Sequence, residues 1–311
     1  SGLLGLISTI MYFSFMLMLP VLVALYYHET GAVLPFLLTG AAALMISITI
    51  KKVISGIAQI KSINDIKNEL ANADKETRES LIEVYKSDTR KGVAKLIEKY
   101  EKQEIALEKE YKRLELMHQF ENKYSDYEFI AGIDEAGRGP LAGPVVAASV
   151  ILPKDCEILY LNDSKQVSAK KRDELFDEIK EKAVAYGIGV SSPGRIDEIN
   201  ILQATYEAMR AAIKQMSETK LPDILLVDAV HIPEVQTKQV GIIKGDAKSV
   251  SIAAASILAK VTRDRFMIQM DEMYPMYGFA SHKGYGSKAH IEAIKKYGPS
   301  PIHRETFIKN F

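Results

Sequence analysis

The chain has 311 residues, and its 40 Lys and Arg residues balance 40 Asp and Glu residues, so the formal net charge is zero. With 47% hydrophobic residues, 11 Pro and 19 Gly, the composition excludes disordered, collagen-like and disulfide-scaffold proteins. The charges are unevenly placed, because residues 1–50 hold one charged residue, Glu29, and the other 79 lie among the remaining 261 residues.

Two apolar runs, 3–27 and 32–50, dominate the start of the chain. Each is close to the roughly 20 residues that a helix needs to cross a bilayer. Lys51 and Lys52 after the second run favour a cytoplasmic position for the large C-terminal part of the chain. The sequence therefore predicts two transmembrane helices in residues 1–58, with membrane contact through residues 3–50. A buried helical hairpin is one alternative; a fusion segment or misjoined reading frame, suggested by the missing initiating Met, is another.

Residues 1–56 weakly resemble the N-terminal part of Trk-type potassium-uptake membrane subunits. The resemblance lies in the runs 19–27 and 34–38. It implies, as an alternative function, a membrane-anchored or transport-associated subunit through residues 1–50. The rest of the sequence does not supply the pore loops that a potassium pathway needs, so the resemblance implies an anchor at most.

A charged segment, 59–127, comes next, with 29 charged residues in 69 and no Pro. Val93, Leu96, Ile97 and Tyr100 recur at the spacing of one helix face. The equal numbers of acids and bases, 15 and 14, favour solvated helix faces over a nucleic-acid contact. The segment therefore predicts a charged helical extension.

Residues 128–311 alternate short β-rich runs with amphipathic helical patterns, which predicts one α/β domain. The first two strands, separated by a Gly- and Pro-rich turn, are expected to form a hairpin, and the later strands, joined through helices, to pair in parallel. This pattern predicts a mixed sheet flanked by helices. The predicted strands are 129–133, 145–151, 185–190, 224–227 and 239–243, and the predicted helices are 168–184, 199–216, 249–273 and 287–297.

Four acidic residues lie at the ends of predicted strands: Asp134 and Glu135 after the first, Asp228 after the fourth and Asp246 just beyond the fifth. A carboxylate against an apolar layer is costly unless it is paired, protonated or bound to a cation. If the sheet brings these strands together, hard divalent cations are the simplest remedy for the repulsion. Two Mg²⁺ or Mn²⁺ ions about 4 Å apart would then clamp a phosphodiester. The alternative is that the acids cap helices or pair with Arg138, Lys244 or Lys248.

Glycine-rich segments near these acids carry groups suited to phosphate. Gly137 and Gly139 allow a close backbone approach, and Arg138 between them offers a planar cationic fork. Ser164 and Lys165 add a hydroxyl and an ammonium group in a second loop. Tyr285, in a third Gly-rich loop, offers a ring for packing against a sugar or base, although an ordinary surface tyrosine is the alternative.

These segments together resemble bacterial ribonuclease HII, over residues from about 60 to 311 and most strongly over 128–311. The resemblance implies a ribonuclease H-like fold for the predicted mixed sheet flanked by helices. In the predicted architecture, the charged helical extension and the apolar helical hairpin precede this fold, and the apolar segment is a departure from the family, which is normally soluble. The blocks that carry it are residues 133–144, 162–166, 227–229, 245–249, 253–265, 277–286 and 298–304, with residues 88–93 similar to the helical extension of some Gram-positive members.

The resemblance implies an endonuclease that cleaves the RNA strand of RNA–DNA hybrids and single ribonucleotides embedded in DNA, leaving 5′-phosphate and 3′-hydroxyl ends. It implies a catalytic domain in the cytoplasm with a nucleic acid as its partner and no obligate protein partner. Carried over residue by residue, the resemblance assigns metal binding and catalysis to Asp134, Glu135, Asp228 and Asp246. It assigns substrate contacts to Gly137, Arg138, Gly139 and Tyr285, and the phosphate-suited groups of Ser164 and Lys165 complete the predicted substrate contacts.

Overall fold

The computed structural model describes residues 45, 47–50 and 61–310. They belong to two compact units that divide between Leu107 and Glu108. The apolar segment 1–58 lies outside the described residues, apart from residues 45 and 47–50, so its two transmembrane helices stay a prediction. Within the described ranges, no helix is both long and apolar enough to cross a membrane.

The described part of the first unit is helical, as the charged segment predicts. It contains α1 (Ile63–Asn72), α2 (Lys75–Tyr85) and the start of α3 (Lys91–Met117). The side chains of Ser62 and Asp74 cap α1 and α2 by accepting hydrogen bonds from backbone amides of the first helical turns. One apolar face of each helix packs into a small core, made of Ile66, Leu70, Ile82, Tyr85, Val93 and Ile97.

The second unit is built on a five-stranded mixed sheet with the strand order β3-β2-β1-β4-β5. After the short helix α4 (Gln119–Lys123), β1 and β2 pair as the predicted antiparallel hairpin. β4 pairs parallel to β1, and β5 pairs parallel to β4. The strand bounds are Ile130–Ala136, Val145–Ile151, Ala185–Ser191, Ile224–Asp228 and Lys238–Ile242 for β1 to β5.

The direction of β3 differs from the prediction, because β3 pairs antiparallel to β2 instead of parallel. The backbone amide of Val184 donates to the carbonyl of Ile151, the last residue of β2, over 2.9 Å. Helix α5 (Ala169–Lys182) therefore returns the chain to the end of the sheet that it has just left. A helical connection permits a parallel crossover, but it does not impose one.

Helices cover both faces of the sheet. On one face, α5 and α7 (Val250–Met273) pack over β2, and the free thiol of Cys156 is buried in this apolar cluster. On the other face, α6 (Pro193–Ser217) packs over β1, β2 and β3. The last helices, α8 to α10, come after α7 and have the bounds Phe279–His282, Lys288–Tyr297 and Glu305–Ile308.

Gly132 in β1 lets α7 lie directly on the sheet. A Cβ atom at this position would come within 2.0 Å of the backbone carbonyl carbon of Ser251, so a side chain here would push the helix away. Since α7 carries Ser256, Lys260 and Arg263, this close contact keeps their side chains near the end of β1.

The predicted helix bounds hold for α5, α7 and α9 within two residues at each end. The predicted start of α6 is wrong, since the helix begins at Pro193 and not at residue 199. Asn200 interrupts it with a φ of 68°, and its side-chain oxygen accepts from the amides of Leu202 and Gln203. A first turn with Pro at N1 therefore precedes the apolar pattern on which the prediction rested.

Candidate active site

One cavity of about 390 Å³ lies at the carboxyl ends of β1 and β4. Every site residue predicted from the sequence lines it, namely Asp134, Glu135, Gly137, Arg138, Gly139, Ser164, Lys165, Asp228, Asp246 and Tyr285. Four further residues that the sequence did not single out complete the lining: Ala136, Ser256, Lys260 and Arg263.

The parallel pairing of β1 and β4 brings the acids together. Ile133 lies opposite Val227 in the sheet register, so Asp134 and Asp228 come next on adjacent strands at the same edge. Oδ1 of Asp228 also accepts a hydrogen bond of 2.7 Å from the backbone amide of Gly245. This bond ties the turn that carries Asp246 to the end of β4, although Asp246 lies outside the strands.

The electrostatics of the cavity disfavour so many ionised acids. Burial, together with the nearby charges of Glu135 and Asp228, raises the pKa of Asp134 well above its ordinary value, although Ser256 donates to it. Burial also raises the pKa of Glu135, against the attraction of Arg138. The pKa of Asp246 is raised by burial and by the charges of neighbouring acids. A bound cation would relieve all three effects.

The donor set fits a hard divalent cation in its chemistry, because the four carboxylates supply oxygen ligands, which Mg²⁺ and Mn²⁺ prefer. Within residues 61–310 and the few described before them, however, no three His, Cys, Asp or Glu side chains converge into a group that could hold an ion. The carboxylates thus share the cavity wall without meeting at one point.

The helix-capping and ion-pair alternative holds for only part of the acid cluster. Arg138 does pair with Glu135, with its Nη1 3.3 Å from Oε1. Lys248, in contrast, directs its ammonium group at the backbone carbonyl of Ile243. Arg138 keeps 45% of its side chain exposed, so its guanidinium group can still reach a ligand.

The glycine-flanked loop depends on Arg304, which is completely buried. Its guanidinium group donates to the carbonyl oxygens of Gly137, Arg138 and Gly143 at 2.5, 2.8 and 2.9 Å. Burial, reinforced by the positive charge of Arg263, lowers the pKa of Arg304 to about 9. Three carbonyl acceptors compensate for the lost hydration and fix the course of the loop.

Arg263 holds the same region from the opposite side. It donates to the carbonyl oxygens of Ala142, Pro144 and Lys283 over 2.9–3.0 Å. Gly137 has a φ of 95°, and a Cβ atom there would lie 2.1 Å from Nε of Arg263. Glycine is therefore required at this position for both the backbone conformation and the approach of the guanidinium group.

Ser164 and Lys165 reach the cavity from the loop that precedes α5. The hydroxyl groups of Ser164 and Ser256 are hydrogen-bonded to each other, with 3.1 Å between their oxygens. Burial opposes the charge of Lys165, but the attraction of Asp163, Asp246 and Asp134 outweighs it and raises the pKa of the ammonium group. Lys165 is therefore a permanent cation beside the acids. The second lysine of the cavity, Lys260, has its pKa lowered by burial, although Asp264 accepts from its ammonium group.

Tyr285 stands beside the glycine-flanked loop with 47% of its surface exposed. A Cβ atom on Gly139 would lie 3.8 Å from Cε1 of its ring. Its carbonyl oxygen lies 2.9 Å from His290 Nδ1. Lys283, two residues earlier, does not line the cavity, and its ammonium group donates to the carbonyl of Ala280.

A chain of neutral histidines supports the Tyr285 loop. Nδ1 of His303 accepts from the amide of Ser300 over 2.8 Å, so its proton is on Nε2, which lies 3.0 Å from Nε2 of His290. His290 must then carry its own proton on Nδ1 and donate to the carbonyl of Tyr285. Burial and the neighbouring His290 lower the pKa of His303 to about 4. A proton on its Nδ1 would break this chain.

This histidine chain predicts a loss of stability in mild acid. The unfolded chain protonates His303 near pH 6.5, but the folded chain does so only near pH 4. The neutral His303 ring therefore makes its full contribution to the free energy of unfolding above pH 6.5, and this contribution is lost as the pH falls toward 4. We expect the melting temperature to fall by about 3–5 °C more between pH 7 and pH 5 in the wild type than in His303→Asn, whose side-chain oxygen can still accept from Ser300.

The control for this measurement is His231→Asn, since His231 is exposed. This variant is expected to keep the wild-type dependence of melting temperature on pH. If the melting temperature of His303→Asn fell as steeply with pH as that of the wild type, the loss of stability in acid could not be assigned to the buried histidines.

The residues that the sequence did not reveal are mainly buried cations. Arg263 is 1% exposed, and the other buried positions of α7 are mainly apolar. A charged side chain at a core position of a helix is the signal that could have identified it. Arg304 gives no comparable signal, because it lies outside a long helix, just before the short helix α10.

The comparison with protein families matches two segments of the chain. The model described as Ribonuclease HII matches residues 131–310, and the model described as Ribonuclease HII N-terminal domain matches residues 62–125. The first match covers the five strands almost completely and all the residues that line the cavity.

Individual relatives agree with this match. A ribonuclease HII of Lachnoclostridium phytofermentans is 62% identical over 226 residues, which cover 73% of this chain and 88% of the relative. A ribonuclease HII of Clostridioides difficile is 54% identical over 254 residues, covering 81% of this chain and 99% of the relative. The crystal structure of ribonuclease H2 from Pyrococcus horikoshii is 28% identical, with a TM-score of 0.50, and the match covers 58% of this chain and 95% of that chain.

Proposed function

Because the chain belongs to the ribonuclease HII family, we propose that the cavity at the ends of β1 and β4 is the active site of a divalent-metal-dependent nuclease. Members of the family are ribonuclease H enzymes, and this chain is accordingly an endonuclease for the RNA strand of RNA–DNA hybrids. The observation that carries the assignment of the site is that four carboxylates, a glycine-flanked arginine, a lysine and an exposed tyrosine line one cavity.

Asp134, Glu135, Asp228 and Asp246 are the proposed ligands of Mg²⁺ or Mn²⁺, in a site for two ions. When bound, such ions activate the attacking water and stabilise the leaving oxygen. The raised pKa of Asp134 supports this role, because desolvated and mutually repelling carboxylates gain from a cation that replaces their lost hydration. Asp228 keeps its orientation through the bond from the amide of Gly245.

The cationic groups of the cavity bind the phosphates of the substrate. Arg138 presents a half-exposed guanidinium group, and Lys165 stays charged beside the acids. Local cations are needed for this purpose because residues 128–311 hold 24 basic and 24 acidic residues, so the domain as a whole offers no positive surplus. Bound metal would add to this local attraction.

The loop at Gly137–Gly139 and the ring of Tyr285 contact the sugar of the substrate and recognise it as a ribose. The absence of side chains on both glycines lets the backbone approach a 2′-hydroxyl, which is the group that distinguishes RNA from DNA. Tyr285 lies against Gly139 and packs on the sugar at an RNA–DNA junction. We therefore infer that single ribonucleotides in duplex DNA are also cleaved, leaving 5′-phosphate and 3′-hydroxyl ends.

The test of this function is a DNA duplex that carries one ribonucleotide, incubated with Mg²⁺ or Mn²⁺. We expect a single nick at the ribonucleotide, and no nick in the matched all-DNA duplex or in the presence of EDTA. Cleavage of the all-DNA duplex at the same rate would contradict recognition of the 2′-hydroxyl.

The contribution of the Tyr285 ring is tested on the same duplex. Tyr285→Ala is expected to lower kcat/KM by about tenfold, since the packing of one aromatic ring contributes about 1–3 kcal/mol. Tyr285→Phe keeps the ring and is the matched control, with activity close to that of the wild type. Equal losses in the two variants would show that the hydroxyl group, and not ring packing, is what the substrate needs.

A further inference from the structure

The loop that carries Ser164 and Lys165 is held at its start by the last turns of α3. Oε1 of Glu110 accepts a hydrogen bond of 2.6 Å from the backbone amide of Tyr160. Nη2 of Arg113 donates to the carbonyl of Leu161 over 2.7 Å. Two consecutive residues of the loop are therefore fixed through their backbone by two side chains one helical turn apart.

The two clamping side chains also hold each other. Arg113 forms a two-pronged ion pair with Glu110, with distances of 2.8 Å from Nε to Oε2 and 2.7 Å from Nη2 to Oε1. Glu110 is only 8% exposed. Burial opposes its ionisation, but the bonds from Arg113 and from the amide of Tyr160 outweigh burial and lower its pKa. The carboxylate is thus a fixed anion in a geometry that suits a planar guanidinium group.

Glu110 and Arg113, together called the clamp, bind the chain at and next to a residue with a strained backbone conformation. Tyr160 has a φ of 69°, in the left-handed region that tyrosine seldom adopts and that costs about 1–3 kcal/mol. Such a conformation persists when surrounding contacts impose it, and the amide of this same residue is the one that Glu110 binds. Leu161, the next residue, is fully buried, which fixes the chain on the other side.

A short run of local hydrogen bonds leads from the clamp to the cavity. Oδ1 of Asn162 accepts from the amide of Asp163, and Oδ1 of Asp163 accepts from the amide of Lys165, both over 2.9 Å. Ser164 and Lys165 then line the cavity. A displacement at Tyr160 would therefore be passed on to the Lys165 ammonium group, because the intervening loop is stiffened by its own side chains.

We propose that Glu110 and Arg113 are positioning residues for substrate binding, and that they act by fixing the loop that presents Lys165 to the nucleic-acid phosphates. This rests on the proposed function of the cavity. Both residues fall within the segment that matches the N-terminal-domain family model, 62–125. The end of the charged helical extension thereby contributes to the active site itself.

The experiment is a double-mutant cycle on the full chain, with kcat and KM measured on the duplex that carries one ribonucleotide. The variants are Glu110→Ala, Lys165→Ala and the double substitution. We expect Glu110→Ala to raise KM by about tenfold with little change in kcat, because a misplaced cation weakens binding more than chemistry. In the Lys165→Ala background, the same change should alter KM by less than about twofold.

The matched control is Glu98→Ala, which removes the carboxylate of an exposed ion pair with Lys102 on the same helix and should leave both constants unchanged. If Glu110→Ala folds too poorly to assay, Arg113→Ala takes its place in the cycle, since this side chain is 32% exposed. Equal increases in KM in both backgrounds would overturn the proposal, because Glu110 would then affect substrate binding by a route that does not involve Lys165. An unchanged KM in Lys165→Ala by itself would instead refute the proposed role of Lys165, and the positioning role with it.

Discussion

Replacing Asp134 by Asn is expected to lower the rate of RNA–DNA hybrid cleavage by about three orders of magnitude, which corresponds to about 4 kcal/mol of transition-state stabilisation. The same change should raise the melting temperature in metal-free buffer. Both effects have one cause, since a buried anion that is needed for a cation is unfavourable when the cation is absent. Asn keeps the shape of the side chain and the oxygen that accepts from the amide of Glu135 over 2.7 Å.

The stabilising part of this prediction depends on pH in a definite direction. Asp134 has a raised pKa in the folded chain, so the unfolded chain loses its proton first as the pH rises. Ionisation of Asp134 therefore reduces stability as the pH rises above the ordinary aspartate value and toward the folded pKa. The advantage of Asp134→Asn should vanish in strong acid and grow toward neutral pH.

Added Mn²⁺ or Mg²⁺ should reverse the order of the two proteins. Cations that bind the folded state raise the melting temperature of the wild type by mass action, whereas Asp134→Asn, which lacks one ligand charge, should respond much less. Asp126→Asn is the control, because Asp126 is exposed and lies outside the cavity. Unchanged cleavage by Asp134→Asn, or a lower melting temperature without metal, would refute the assignment.

Arg304→Lys is expected to destabilise the protein by about 3 kcal/mol, because one ammonium group cannot serve the three carbonyls that the buried guanidinium group binds. We expect kcat/KM for the ribonucleotide-containing duplex to fall by about a hundredfold at a temperature where the variant is still folded, since the loop at Gly137–Gly139 loses its fixed course. Thermal unfolding and steady-state kinetics on the same sample measure the two effects.

Arg265→Lys is the matched control for Arg304→Lys. Arg265 is an exposed residue of α7 whose guanidinium group pairs with Asp173 over 2.9 Å. Stability should change by less than about 1 kcal/mol in this variant, and cleavage should stay at the wild-type rate. Full activity in Arg304→Lys would show that the loop keeps its course without the three bonds.

The unusual position of the first two acids could be predicted from the sequence because its signal is local. A charged pair directly after an apolar run, as at Asp134 and Glu135, contradicts the pattern of its own strand and so indicates a function. Parallel pairing of β1 with β4 then brings Asp228 to the same edge. The sequence contains the first fact, whereas the second depended on the sheet bringing these strands together, which the structure shows.

The contacts that support the site could not be predicted in the same way. Arg304 binds Gly137 across 167 positions of sequence, and Glu110 binds Tyr160 across 50. Such contacts depend on how helices pack after the sheet has formed, and no local pattern records them. The antiparallel direction of β3 has the same origin, since a helical connection alone does not specify the end of the sheet to which the chain returns.

The two buried arginines have a consequence for protein engineering. All six hydrogen bonds that their guanidinium groups form go to backbone carbonyl oxygens. The course of the loop is thus independent of the exposed side chains that the loop displays. Arg304 binds Arg138 through the backbone carbonyl of that residue, and the Arg138 side chain itself pairs with Glu135. Exchanging the Arg138 side chain would therefore break this pair but leave the course of the loop unchanged, so changes in substrate preference can be sought there without rebuilding the scaffold.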